Sequence, residues 1–153
     1  DGIVTGGLSD DGLIDYRLIE SLRDICLDAE LVFHRAFDLL QKQSDGIEEL
    51  IALRVDRVLT SGCEATALEG SACIAELLRS ANGRIEILPG GGVCSKTVGE
   101  LLKKTGCTQV HGTFKVLQSD PAGSVCSGSY PAVDPDEVSF VREELDRFQS
   151  DAL

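Results

Sequence analysis

The chain has 153 residues, 42% of them hydrophobic, and 26 Asp plus Glu against 14 Lys plus Arg, for a formal net charge of -12. That length and apolar content suit one domain with a real core, while the acidic balance argues against nucleic acid and anionic membranes, which call for clustered positive charge. No stretch approaches the ~20 apolar residues of a membrane span, and the first residues lack the basic-then-apolar layout of a signal peptide, so a cytoplasmic or nuclear address without membrane contact is expected.

Residues 3–5 read as a first strand, followed by the turn Gly6-Gly7-Leu8-Ser9-Asp10-Asp11-Gly12. Asp15 is placed to cap a helix whose apolar positions Leu18, Ile19, Leu22, Ile25 and Cys26 follow a three-and-four spacing. Leu31-Val32-Phe33 is a second apolar run that stops at His34, Arg35 and, three residues on, Asp38. Ser44 or Asp45 can cap a second helix carrying Ile47, Leu50 and Ile51, and the chain returns through Asp56 into a strand over 57–60 that ends at Ser61-Gly62-Cys63. A third helix sets Ile74, Leu77, Leu78 and Ala81 on one face and closes at Asn82-Gly83, a favoured left-handed stop. Residues 85–88 run into Pro89-Gly90-Gly91-Gly92. Ser95 is expected to cap a fourth helix with Val98, Leu101 and Leu102 inward and Gly106 as its end, and 108–113 form a weaker fifth strand bearing His111.

Strand centres at 4, 33, 58, 87 and 110 lie 23 to 29 residues apart, the length of a strand plus a returning helix. The spacing predicts consecutive right-handed βαβ units in a parallel sheet, as in an open doubly wound fold or a (β/α)8 barrel of the TIM type. The barrel is preferred because all five strand ends carry polar or glycine-rich turns, as expected when every loop faces one site. Residues 118–133, rich in Ser, Gly, Pro, Ala and Asp, read as an irregular loop. A C-terminal helix over 134–149 follows, capped by Asp134 with Pro135 in its first turn and an apolar stripe of Val138, Val141, Leu145 and Phe148. The sequence contains no methionine and opens directly on a core-like strand, so residue 1 is not expected to be a natural start, and an upstream segment is expected to be missing.

The chemistry-bearing residues collect at the strand ends. Gly90, Gly91 and Gly92 between a strand and a helix let backbone N–H groups converge on an anion such as phosphate or carboxylate, or else make a tight turn for close packing. They form neither the Gly-x-Gly-x-x-Gly fingerprint nor a P-loop, so no nucleotide cofactor motif is present. Thr60, Ser61 and Gly62 offer two hydroxyls and an amide suited to an oxyanion, without an obvious triad partner. The two histidines of the chain, His34 and His111, both fall in strand segments; with Asp38 close by they could act as acid and base or hold a metal, or be hydrogen-bonded structural residues. The six cysteines, at 26, 63, 73, 94, 107 and 126, contain no Cys-x-x-Cys pair and read as reduced thiols, mostly core fillers, although a soft metal such as Cu(I) could use them.

Four ordered motifs closely resemble the CutC copper homeostasis family: Val32-Phe33-His34-Arg35-Ala36-Phe37-Asp38, Asp56-Arg57-Val58-Leu59-Thr60-Ser61-Gly62, Leu88-Pro89-Gly90-Gly91-Gly92, and His111 after Thr105-Gly106. The resemblance runs from residue 1 to about His111. It implies a (β/α)8 barrel of which the first three β/α units are absent, leaving a partial barrel of about five parallel strands. It also implies a link to copper handling, and a barrel mouth lined by His34, Arg35, Asp38, Thr60, Ser61, Gly90, Gly91, Gly92 and His111.

Three readings follow. The first is a copper homeostasis protein in which Cu(I) is held by Cys63, which follows a strand end, with His34 and His111. The second is a barrel enzyme on a small anionic or phosphorylated substrate held by Gly90, Gly91 and Gly92, with His34 as acid or base. The third is an interaction module whose open sheet edges drive homo-oligomer formation.

Overall fold

A computed structural model of the chain describes residues 2–120 and 128–151. Four parallel strands, β1 (Gly2–Thr5), β2 (Glu30–Phe33), β3 (Arg57–Thr60) and β4 (Glu86–Pro89), form one sheet in sequence order. The crossovers contain α1 (Tyr16–Cys26), then α2 (Gln43–Ala52) after a 3-10 turn (Arg35–Leu39), and then α3 (Ser71–Ala81); α4 (Val98–Thr105) follows β4. This is a segment of a (β/α)8 barrel wall, with adjacent strands always joined through a helix.

The register sorts the side chains onto two faces. Phe33 pairs with Val58, and Val58 with Ile87, so these share the helix-side face with Leu31, and all four are buried. The other face carries Val4, Val32, Arg57 and Glu86 in one row. Here Val4 is 62% exposed, and Arg57 ties the strands by bonding Glu30 (3.2 Å) and Glu86 (2.6 Å). The core is therefore the layer between sheet and helices, closed by Phe37, Ile47, Leu50, Ile74, Val98, Leu101 and Leu102. The outer edge of β1 has no partner strand among the described residues.

Several local expectations hold for stated physical reasons. Asp15 accepts the Leu18 amide at 3.1 Å and caps α1; Asn82 and Gly106, both left-handed, close α3 and α4. Others need correction. Leu18 and Ile25 point outward, and α1 buries Arg23 together with the expected Ile19 and Cys26. Helix α2 starts at Gln43 without a side-chain cap, and α4 starts at Val98 rather than beside Ser95, whose amide is taken by Glu137 Oε1 at 2.7 Å.

The fifth parallel strand over 108–113 is reduced to a single bridge between Gly90 and His111. The segment has two competing commitments, since Thr108 O accepts from Gln149 and Gln109 reaches Glu86, and Phe114 at φ 43 then turns the chain away. The loop read over 118–133 is also revised at both ends. Residues 118–119 belong to β5 (Lys115–Ser119) and 129–133 form β6 (Ser129–Val133), an antiparallel pair with Gln118 opposite Tyr130. The middle of that loop, 121–127, and with it Cys126, lies outside the described residues. The last helix, α5 (Pro135–Asp151), is capped by Asp134, which accepts the Asp136 amide at 3.0 Å.

Candidate functional site

Parallel strands put all their carboxyl ends on one rim, and the polar residues that stop each apolar run therefore meet there. His34 follows β2, Ser61, Gly62 and Cys63 follow β3, Gly90, Gly91 and Gly92 follow β4, and His111 is bridged to Gly90. The strand-end residues anticipated from the sequence stand together on this rim.

Asp38 is the organising group. It descends from the 3-10 turn onto the end of β3, and its side chain is only 8% exposed. Oδ1 accepts from the Thr60 hydroxyl and from the amides of Ser61 (3.3 Å) and Cys63 (3.4 Å). Oδ2 accepts from Arg35 Nε (2.8 Å), the Ser61 amide (3.1 Å) and Ser61 Oγ (2.9 Å). Burial pushes the carboxyl's pKa up, but the hydrogen bonds from Thr60, Arg35 and Ser61 outweigh it and hold the group below the ordinary aspartate range. Asp38 is thus held as an ionised carboxylate, paired with Arg35.

Arg35 is fixed through Nε on Asp38 and through Nη2 on Ser61 Oγ at 2.5 Å, while its side chain stays 43% exposed. Its Nη1 faces the glycine loop, 3.3 Å from where a Cβ on Gly91 would sit. Gly91 (φ 110) and Gly92 (φ 69) take backbone conformations that L side chains rarely adopt, so the glycines both form the turn and leave room for the guanidinium. Thr60 and Ser61 are fully buried, which removes Ser61 as an accessible nucleophile.

His34 Nδ1 accepts the Ala36 amide at 3.0 Å and caps the 3-10 turn, leaving Nε2 as the proton-bearing nitrogen. Its ring lies over Gly6, where any Cβ would collide with it. His111 is exposed beside Gly90. Cys63 is exposed too, and partial burial, with the neighbouring half-buried Cys73 and the carboxylates of Asp38 and Glu64, pushes its pKa up to about 12. Among the described residues no three His, Cys, Asp or Glu side chains converge where a metal ion could sit, so Cys63, His34 and His111 are not gathered into one three-ligand group. Sequence reasoning grouped Cys73 with cysteines that are mostly core fillers and did not place it near Cys63; the signal for that proximity was the glycine at each side of the turn, Gly62 and Gly70.

The CutC family model matches residues 1–116. A Treponema denticola protein named a family protein CutC is 41% identical over 149 residues, 94% of this chain and 61% of that protein. The human copper homeostasis protein cutC homolog is 43% identical over 111 residues, 72% of this chain and 41% of that protein. The crystal structure of a putative copper homeostasis protein CutC from Streptococcus agalactiae superposes with a TM-score of 0.68 at 38% identity, over 72% of this chain and 54% of that one. The chain spans about half the length of the curated relatives it matches.

Proposed function

The chain belongs to the CutC family, and from that membership we propose that it serves copper homeostasis, with copper as cargo at the rim formed by the carboxyl ends of the strands. The observation that carries this is the family match itself, joined to an exposed sulfur, Cys63, standing at that rim beside two exposed histidines. Thiolate and imidazole are the donors on this chain that suit Cu(I) best. The cytoplasm is the compartment that suits this reading, since its reducing conditions would keep thiols such as Cys63 and Cys73 available to the metal.

The test is equilibrium competition for Cu(I) against a chelating probe, run on the reduced chain and on a variant with Cys63→Ser, His34→Ala and His111→Ala together. The triple variant is expected to lose its Cu(I); copper retained at unchanged affinity would defeat the proposal.

A second reading is favoured by one specific observation, the Arg35 guanidinium held over Gly91. It makes the rim a receptor for a small anionic or phosphorylated molecule, whose charge would meet Nη1 and the glycine loop. Gly91→Ala is the sharp probe, since it adds a Cβ 3.3 Å from Arg35 Nη1 at a backbone with φ 110. We expect it to cost about 1–2 kcal/mol of stability and to abolish any rise in denaturation midpoint that inorganic phosphate gives the unaltered chain. An undiminished phosphate effect in Gly91→Ala would remove the anion from this loop.

A further inference from the structure

We infer that Cys63 and Cys73 together form a two-sulfur site for a soft monovalent cation, with Cu(I) as its occupant; this rests on the copper reading and adds a second sulfur to it. The pairing is built by backbone. A Cβ on Gly62 would lie 2.2 Å from Gly70 O, and one on Gly70 would lie 2.0 Å from Ser61 O, so only two glycines let the loop after β3 close on the amino end of α3. That contact sets residue 63 against the first turn of α3, where Cys73 sits. The two thiols lie within electrostatic reach of one another. The Cys63 amide, bonded to Asp38 Oδ1, fixes the loop from its other side.

The other described cysteines are placed differently. Cys26 and Cys107 belong to the core, and Cys94 is engaged with Thr97 at 3.5 Å. Carboxylates outnumber cations around the pair, with Asp38 and Glu64 near both thiols and Glu76 near Cys73, against Arg35, which is bonded to Asp38, and Lys42 on the groove that Cys73 lines. Such surroundings oppose two bare thiolates, and a bound monovalent cation cancels one of the two thiolate charges. With no third side chain converging among the described residues, the site suits a metal content with two sulfurs, as Cu(I) is, better than tetrahedral zinc. Binding breaks two S–H bonds and forms two S–Cu bonds, releases two protons and transfers no electron. Access is open on both sides, since Cys63 is exposed and Cys73 lines a groove of about 390 Å³ with Gln43, Ser44 and Glu76.

The experiment is anaerobic titration of the reduced chain with Cu(I) against a chelating dye, repeated with Ag(I) as a second soft probe. Cys63→Ser, Cys73→Ser and the double variant are compared, with Cys63→Ala and Cys73→Ala run beside them and urea midpoints confirming the fold. The expected result is one ion per chain, with each single variant weakening it more than about 100-fold, beyond the loss of an outer-shell partner, and the double variant no weaker than either. Full affinity in Cys73→Ser and Cys73→Ala would overturn the pair while leaving the copper reading in place. Absence of Cu(I) binding by the unaltered chain would overturn both.

Discussion

Arg23→Met is expected to lower the unfolding free energy by about 3 kcal/mol, because it breaks a partly buried ion pair and takes the Arg23 donors away from three backbone carbonyls. The guanidinium is 8% exposed and lies at the amino-terminal ends of the strands, opposite the functional rim. Nη1 donates to Asp56 Oδ2 at 2.8 Å and to Arg54 O at 3.2 Å; Nη2 donates to Leu27 O at 3.0 Å and to Ala29 O. Those acceptors come from two turns, one leaving α1 and one leaving α2, and both contain a non-glycine residue at positive φ, Leu27 (46) and Arg54 (56). The arginine therefore staples two strained turns together. Methionine keeps the apolar stem and deletes every donor, so the carbonyls face one another across an apolar gap. Half-exposed Asp56 recovers part of its hydration, which keeps the cost below that of a fully buried broken pair. Urea unfolding reads the loss directly. Cu(I) affinity measured well below the midpoint should be unchanged, as expected for a residue at the stability end of a barrel wall. A change under 0.5 kcal/mol, the range of ordinary surface substitutions, would show that water replaces the guanidinium at no cost.

That same arginine marks where the sequence stops being legible. On α1 the apolar residues Leu18, Ile19, Leu22, Ile25 and Cys26 read as one inner face, and of these only Leu18 and Ile25 turn out to face outward. The true inner face holds Ile19, Arg23 and Cys26, with a charge in the middle that no hydropathy pattern offers. The alternation of strands and helices was readable because each apolar run ends abruptly at polar residues. The segment over 108–113 has a strand-like composition, yet it pairs at His111 alone, since pairing depends on what its neighbours offer, which is not a local property. At the rim, the placement of His34, Arg35 and the glycines was visible as strand-end position. What Asp38 does was not: its acceptors' partners lie 22 to 25 residues away in the next β/α unit. Likewise Cys63 and Cys73 are brought together by a glycine contact that only the folded turn reveals.

Asp38→Asn is the other large effect, and it separates electrostatics from shape. The side chains are nearly isosteric, but the carboxylate accepts from five donor groups, Thr60 Oγ1, Arg35 Nε, the Ser61 and Cys63 amides and Ser61 Oγ, and donates to none. An amide must turn its NH2 toward some of them whichever way it is flipped. Every orientation sets donor against donor in a nearly dry site and leaves the Arg35 guanidinium without its counter-charge. The expected loss is about 2–4 kcal/mol at pH 7. The pH dependence follows from the direction of the shift. The Asp38 pKa is lower folded than unfolded, so its stabilisation is complete above the unfolded value, about 3.9, and disappears as pH falls through the folded one. The gap between the unaltered chain and Asp38→Asn should therefore be widest at neutral pH and shrink below about pH 4. Urea midpoints measured from pH 7 down to pH 3 test this. A gap that stays constant across that range would mean that shape, not charge, is what Asp38 contributes. A gap that closes on acidification would establish that the ionised carboxylate holds Arg35 and the Cys63 loop at the rim.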